Sequence, residues 1–196
     1  MIDVAKLRDL VREAYSSAAA DPASKHPFPV GRAFAESVGY PGELLDAIPT
    51  TAVDGFAGVS NVSLFAEIAE GATVLDLGCG AGLDSLIAAR RAGPDGKVYG
   101  IDFSPSMLDR ARAAAADAGL SNLELRQADA EHLPLSDTSI DVALVNGIFN
   151  LNPNRSAIFR ELARVVRPGG TVFCAELILS EPLPETERAC PTNWFA

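Results

Sequence analysis

The sequence predicts an α/β fold, a parallel sheet covered by helices on both faces. Three observations lead there. From Thr73 onward, short and nearly continuous apolar runs alternate with amphipathic segments of helical period, the pattern of strands buried on both sides. The first of these runs ends in a glycine-rich turn, Gly78-Cys79-Gly80-Ala81-Gly82. Acids stand at or just past the ends of three successive runs, at Asp76, Asp102 and Asp129.

The elements follow in order. Residues 3–20 place Val4, Leu7, Leu10, Val11 and Ala14 on one face of a helix. Three prolines within 21–29 break it. Residues 30–60 read as short and irregular, punctuated by Pro41-Gly42 and Pro49, and a short helix over 60–69 leads to Gly71. Strands are predicted at 73–78, 97–102, 122–128, 140–146 and 170–178, with helices at 82–91, 105–118 and 154–166 between them. Ser104 suits an N-cap with Pro105 at the first helical position, and Gly119 suits the stop of the same helix. Arg167-Pro168-Gly169-Gly170 reads as a tight turn into the fifth strand. Residues 181–192 are rich in Pro and Glu, and Trp194-Phe195-Ala196 closes the chain on an apolar note. This gives three segments: an N-terminal helix and lid (1–60), a ligand-binding core (61–180) and a tail (181–196).

Composition narrows the function. A net charge of −10 offers no basic stripe for nucleic acid. The arginines near 90 and 110 read as solvated helix faces. Mean hydropathy is +0.15 with no apolar run of membrane-spanning length, and the N-terminus mixes acids and bases without the apolar block of a signal peptide. A cytoplasmic protein is expected. Cys79, Cys174 and Cys190 are too widely spaced for a zinc pattern or a disulfide framework, and there are only two histidines, so no metal site is expected. Cys174, in an apolar strand, reads as a small buried hydrophobe.

The glycine turn carries the functional signal. A dinucleotide fingerprint requires G-x-G-x-x-G/A. Counted from Gly78 the last place is Leu83, and from Gly80 it is Ser85, so the pattern fails from either start. The spacing is instead Asp-x-Gly-x-Gly-x-Gly, beginning at Asp76. That form resembles motif I of class I S-adenosylmethionine (SAM)-dependent methyltransferases. The ligand chemistry agrees: a pyrophosphate favours a helix N-terminus, whereas SAM has an ammonium and a sulfonium, for which nearby carboxylates are useful. The resemblance continues through Ile101-Asp102-Phe103-Ser104-Pro105-Ser106-Met107-Leu108, Glu131-His132-Leu133-Pro134-Leu135-Ser136-Asp137 and Leu162 to Gly170, covering roughly residues 40–183.

This resemblance implies a Rossmann-like sheet of order 3-2-1-4-5. It places the cofactor on Asp76, Gly78, Cys79, Gly80, Gly82, Asp102, Phe103, Met107, Asp129, Ala130 and Asn146. Asp76 would orient water or backbone near the amino-acid end, and Asp102 would accept both ribose hydroxyls. Phe103 would pack on adenine, Asp129 would accept from its amino group, and the Ala130 N–H would meet the ring. Asn146 would orient an acceptor or cap the site. The family's C-terminal strand hairpin has no counterpart, since nothing after Pro182 has strand character. An open edge on the fifth strand is therefore expected, a route to homo-oligomers.

Two segments are similar to the arsenite methyltransferase branch: Tyr40-Pro41-x-Glu43-Leu44-Leu45, and Asn146 to Arg155. In that branch cysteine thiolates hold trivalent arsenic. Here Gly147 and Val59 stand at the cysteine positions, and neither supplies a soft ligand. Cys190 would be a single thiolate. The sequence thus points to a small-molecule methyltransferase with a changed acceptor. The Leu133–Asp137 segment is also similar to quinone C-methyltransferases. A SAM-binding module without turnover is the alternative, and a nicotinamide dehydrogenase is disfavoured by the glycine count. No catalytic base is assigned, since His132 reads as an ordinary loop residue.

Overall fold

A computed structural model describes residues 4–181. Five strands form one sheet: β1 (Thr73–Leu77), β2 (Lys97–Asp102), β3 (Leu123–Gln127), β4 (Ile140–Asn146) and β5 (Val166–Ala175). Their order is β3-β2-β1-β4-β5 and every pairing is parallel, as expected. Leu75, Leu144 and Ile101 are fully enclosed in the central strands. The switch in strand order falls at β1, which pairs with β2 on one side and β4 on the other. A parallel sheet opens its ligand crevice at the carboxyl ends of the strands at such a point.

The helices are α1 (Val4–Ala20), α2 (Arg32–Ser37), α3 (Gly42–Asp46), α4 (Thr50–Asp54), α5 (Val62–Phe65), α6 (Leu83–Ala92), α7 (Pro105–Asp117) and α8 (Arg155–Val165). The capping expected for α7 is present. The Ser104 hydroxyl accepts from the Met107 N–H, Pro105 begins the helix, and Gly119 takes φ +65° after its end.

Several expectations are corrected. Residues 30–60 are not irregular: α2, α3, α4 and the links beside them pack Ala35, Tyr40, Leu45, Ala52 and Phe56 against Leu83, Leu86 and Ala114 of α6 and α7. Their brevity, under two turns each, leaves no periodicity to read. The helix expected over 60–69 is the single turn α5. β5 begins at Val166, and the Arg-Pro-Gly-Gly turn lies within it as an irregularity. Ile140 pairs with Val166 and Val142 with Thr171, so extra residues bulge out where Gly169 takes φ +81°. The arginines of α6 and α7 are not simply solvated. Arg90 donates to the Ala47 carbonyl and Arg91 to that of Ser63. Arg110 donates to the carbonyls of Thr51 and Ala19.

Cys174 is exposed rather than buried. β5 is an outer strand of the described sheet, and Val172, Cys174 and Phe159 open onto a shallow apolar groove beside it. The expected absence of a hairpin, Cys190 and the apolar C-terminus lie outside the described residues. Among those described, no helix is long and apolar enough to cross a membrane.

Arg110 joins the C-terminal end of α1 to α4, so its removal tests how the N-terminal helices are held. Arg110→Ala leaves two carbonyls without their donor and is expected to cost about 1–3 kcal/mol. Denaturant unfolding measures the loss, and hydrogen exchange should place the loosening in residues 6–20.

Candidate functional site

The crevice over the carboxyl ends of β1, β2 and β4 holds a cavity of about 1130 Å³, counting its open mouth. It is walled by the glycine turn, the start of α7, residues 128–130, residues 146–152, residues 55–58 and one face of α1. Of the eleven residues expected in the site, all but Gly82 line it. Gly82 is set back at the start of α6, where a Cβ would sit 3.0 Å from that of Ala111. It allows α6 and α7 to approach. Gly78 takes φ +76°, and a Cβ there would fall 2.3 Å from the Ile148 Cγ2. Only glycine lets β1 turn beneath that residue.

Four of the turn's five amides are committed inside the protein. The N–H groups of Gly78 and Cys79 donate to the Ile101 carbonyl, and that of Gly82 donates to the Cys79 carbonyl. The Gly80 N–H donates to Asp102 at 2.9 Å. A phosphate cradle needs such amides free and pointed at the ligand.

The side chains supply negative charge instead. Asp76 is 2 % exposed and accepts from the Ser85 hydroxyl at 2.5 Å. Asp102 is also buried, with one oxygen accepting from Gly80 and the other from the Ser104 N–H at 2.8 Å. Each oxygen keeps a lone pair for a further donor. Burial pushes both carboxyls above their ordinary range; the charge of Asp84 adds to the effect at Asp76, and the backbone donors restrain it at Asp102. Burial also pushes the Cys79 thiol well up, with Asp102 and Asp76 adding to it, so it is a protonated packing group rather than a reactive thiolate.

Asp129 and Ala130 form the far end. Asp129 is partly exposed, caps the Glu131 N–H and pairs with Arg8 of α1 at 3.5 Å. Phe103 is half-buried with the Arg12 guanidinium 5.7 Å above its ring, and Met107 is fully buried. Asn146 uses its amide on the protein. Its oxygen accepts from the N–H groups of Val59 and Ser60, and its nitrogen donates to the Ser60 carbonyl and to Asp84.

Four cavity groups lay outside the sequence reading. Asp84, in the first turn of α6, is buried and accepts from the Tyr40 hydroxyl at 2.5 Å and from the Ser63 N–H. Arg8, Arg12 and Tyr15 come from α1. Just behind the wall, Glu131 is buried, paired with Arg8 and held by the side-chain amides of Asn152 and Asn154. An acid in the first turn of the helix that follows a strand–glycine turn was a local clue to Asp84. The α1 residues had none, because helical period shows an apolar face but not what the face covers. His132 is exposed and lies outside the cavity wall.

Three buried aspartates without a cation among them, whose ionised forms a positively charged guest would favour, suit a cationic nucleoside ligand better than a pyrophosphate. Comparison with known proteins agrees. A family model described as "Methyltransferase domain" matches residues 68–194. The chain belongs to this methyltransferase family. It is 38% identical over 158 residues to an arsenite methyltransferase of Halobacterium salinarum, covering 81% of this chain and 40% of that protein. It is 36% identical to the demethylmenaquinone methyltransferase of Bacillus subtilis, covering 56% of this chain and 47% of that one. The chain thus spans less than half the length of these curated relatives. An arsenic(III) S-adenosylmethionine methyltransferase from Chlamydomonas reinhardtii superposes with a TM-score of 0.64 at 29% identity, covering 92% of this chain and 54% of that structure. SAM is the cofactor of this methyltransferase fold, and the buried acids of the cavity fit its charge.

The raised carboxyl of Asp76 makes a stability prediction. An acid whose native pKa lies above its unfolded value holds a proton in the native state after the unfolded chain has lost it. Its ionisation therefore costs stability as pH rises from about 4, the unfolded value, into the neutral range. Glu161 and Asp141 are held low by Arg164 and Arg167, so their contribution is complete by pH 6 and flat above it. Without ligand, the melting temperature is expected to fall by about a few degrees between pH 6 and pH 8. Asp76→Asn should flatten that fall, as read by calorimetry.

Proposed function

We propose that this chain transfers the methyl group of SAM to a small organic acceptor other than arsenite. The observation that carries this reading is the contact between the two positions where arsenic-binding cysteines would stand. A Cβ on Gly147 would lie 2.9 Å from the Val59 Cγ1, so the valine side chain fills the space the glycine leaves. Gly147 lines the cavity with φ +77°. The wall there is apolar, with Phe56, Ile148 and Leu151 beside it. Trivalent arsenic calls for soft thiolates. Of the described cysteines, Cys79 is a buried protonated thiol and Cys174 faces the groove beside β5.

In this reading Asp102 receives the ribose hydroxyls on its two free lone pairs, while Gly80 and Ser104 keep it in place. Asp76 and Asp84 supply the negative field for the ammonium end. Phe103, Asp129 and Ala130 receive the base, and Met107 packs beneath it. Asn146 acts through the backbone, fixing residues 59–60 behind the acceptor-side wall at Gly147. α1 and residues 55–58, which line the crevice, would serve as its cover and exclude water. When bound, SAM supplies a methyl on a positively charged sulfur, an intrinsically good donor to a nucleophile held in line behind it. The cavity wall presents no histidine, and its acids are placed for the cofactor. This favours an acceptor that ionises readily or is already a soft nucleophile. The apolar wall favours a ring such as a quinol, in keeping with the demethylmenaquinone methyltransferases among the relatives.

Isothermal titration calorimetry tests the cofactor. SAM should bind and NAD should not. Asp102→Ala should weaken SAM by roughly 10- to 100-fold, the value of one or two hydrogen bonds to a charged group, with the circular dichroism spectrum retained. A cation beside Asp76 favours its ionised form, so binding should release protons and strengthen from pH 6 to pH 8. Labelled SAM with a demethylated naphthoquinol and with arsenite then tests the acceptor: transfer to arsenite would refute the reading, and binding without transfer to any acceptor would favour a module without turnover.

Self-association through the outer edge of β5 is also proposed. Val172, Phe159 and the run Leu177–Leu179 are exposed beside that edge, which has no partner strand among the described residues. Light scattering should show a dimer that Val172→Lys reduces to monomer.

A further inference from the structure

Tyr40 opens the Tyr40-Pro41-x-Glu43-Leu44-Leu45 segment and takes no part in the cofactor contacts. It stands between α2 and α3 and is fully buried. It does not line the cavity, but its hydroxyl donates at 2.5 Å to Asp84, which does. Asp84 also accepts from the Asn146 side-chain nitrogen at 2.8 Å, and that nitrogen donates to the Ser60 carbonyl at 2.7 Å. The Tyr40 oxygen lies 3.3 Å from the same carbonyl. These groups close a ring. Its members come from the link after α2, the first turn of α6, the end of β4 and the segment before α5.

The ring backs the acceptor side of the crevice. The Asn146 oxygen accepts from the Val59 and Ser60 N–H groups at 2.8 and 3.1 Å. A Cβ on Gly58 would lie 2.5 Å from the Asn146 Nδ2 and 2.9 Å from the Phe56 Cε2, so the chain lies flat against both side chains there. The Tyr40 ring meets that of Phe56 edge-on, with centroids 5.2 Å apart. Tyr40 thus supports residues 58–60 twice, once through Asp84 and Asn146 and once through Phe56. Without its hydroxyl, Asp84 keeps only Asn146 and the Ser63 N–H at 3.3 Å. The carboxylate is then free to turn toward a cation in the cavity and away from Asn146.

We infer that Tyr40 is a positioning residue for the methyl acceptor: it anchors Asp84, so that occupation of the cofactor's amino-acid end and the order of residues 58–60 are coupled. The inference rests on the SAM reading given above, in which Asp84 supplies part of the field at the ammonium. A cation there favours the ionised carboxylate, the form that accepts from Tyr40 and Asn146 together. Hydrogen bonds in a buried chain polarise and strengthen one another. The ammonium therefore tightens the ring, and the ring tightens the backbone behind Gly147. An acceptor meets a fully ordered wall only when the cofactor is in place.

Amide hydrogen exchange at Val59 and Ser60, read by NMR, tests this with two saturating ligands. S-adenosylhomocysteine carries the ammonium, whereas 5′-methylthioadenosine shares the thioether nucleoside and lacks the amino-acid end. In the wild-type chain S-adenosylhomocysteine should slow both amides roughly three- to tenfold more than 5′-methylthioadenosine does, the range of one hydrogen bond. In Tyr40→Phe, which keeps the ring on Phe56, that excess should vanish. Circular dichroism and binding of 5′-methylthioadenosine report that the variant is folded. If Tyr40 only packs, exchange in the variant quickens with or without ligand while the excess persists, and the inference is overturned. Equal slowing by the two ligands in the wild-type chain overturns it without any variant. Should Tyr40→Phe not fold, 3-fluorotyrosine in place of Tyr40 is a stronger donor of nearly the same shape. It should enlarge the excess, and an unchanged excess would refute the coupling. Failure of the wild-type chain to bind either ligand would instead sink the SAM reading itself.

Discussion

The need to satisfy buried carboxylates organises the site of this methyltransferase-family chain. Asp76, Asp84 and Asp102 lie in the low-dielectric crevice at the head of the sheet, and a charge buried there must be met by donors. Each acid draws its donors from a different part of the chain. Asp102 takes an amide from the glycine turn and one from the start of α7. Asp76 takes the hydroxyl of Ser85 on α6. Asp84 takes a phenol from the N-terminal region, an amide from α5 and the side chain of Asn146 at the end of β4. The same contacts that make the acids tolerable fix the turn, the first turns of α6 and α7 and residues 58–60. The cavity wall follows from the cost of burying charge.

The sheet was legible because its evidence is local. Apolar runs such as Val74-Leu75 and Val142 to Val145 can be buried on both faces only in a parallel sheet, and the acids and glycines of the site sit where such strands end. Asp102 was readable as a candidate site residue because strand end and acid coincide, and it lines the cavity. Asp84, Tyr40 and Glu131 were not, because their roles come from partners far away in the chain, from 21 residues for Ser63 and Asn152 to the whole stretch between Glu131 and Arg8. The three short N-terminal helices were missed for a related reason. Each has one or two buried side chains, too few to set a period, and two of them are tied to the core helices from a distance: Arg90 donates to the Ala47 carbonyl just after α3, and Arg110 to that of Thr51 in α4.

Cys174 shows the opposite failure. An apolar strand predicts burial only if something covers it, and β5 has its outer edge free among the described residues. Phe159, at 54 % exposure, stacks on Phe149 beside the same groove. Composition reports that a strand is apolar, and only topology reports whether a layer lies against it.

Electrostatics and shape divide the work at the crevice. The acids select a cationic nucleoside and disfavour a pyrophosphate, but they are equally compatible with any methyl acceptor. In the proposed reading, choice among acceptors falls to the cavity wall at Gly147, which Val59 backs, and Asn146 holds that backing in place with four hydrogen bonds to residues 59, 60 and 84. Because Val59 occupies the volume of the missing side chain at 147, a change at either position alters the other's environment. A cysteine at 147 would meet the valine and would also need a positive φ, and a cysteine at 59 would face a glycine with no second thiolate. In that reading a pair of thiolates needs both positions to change together, because Val59 fills the space a side chain at 147 would take.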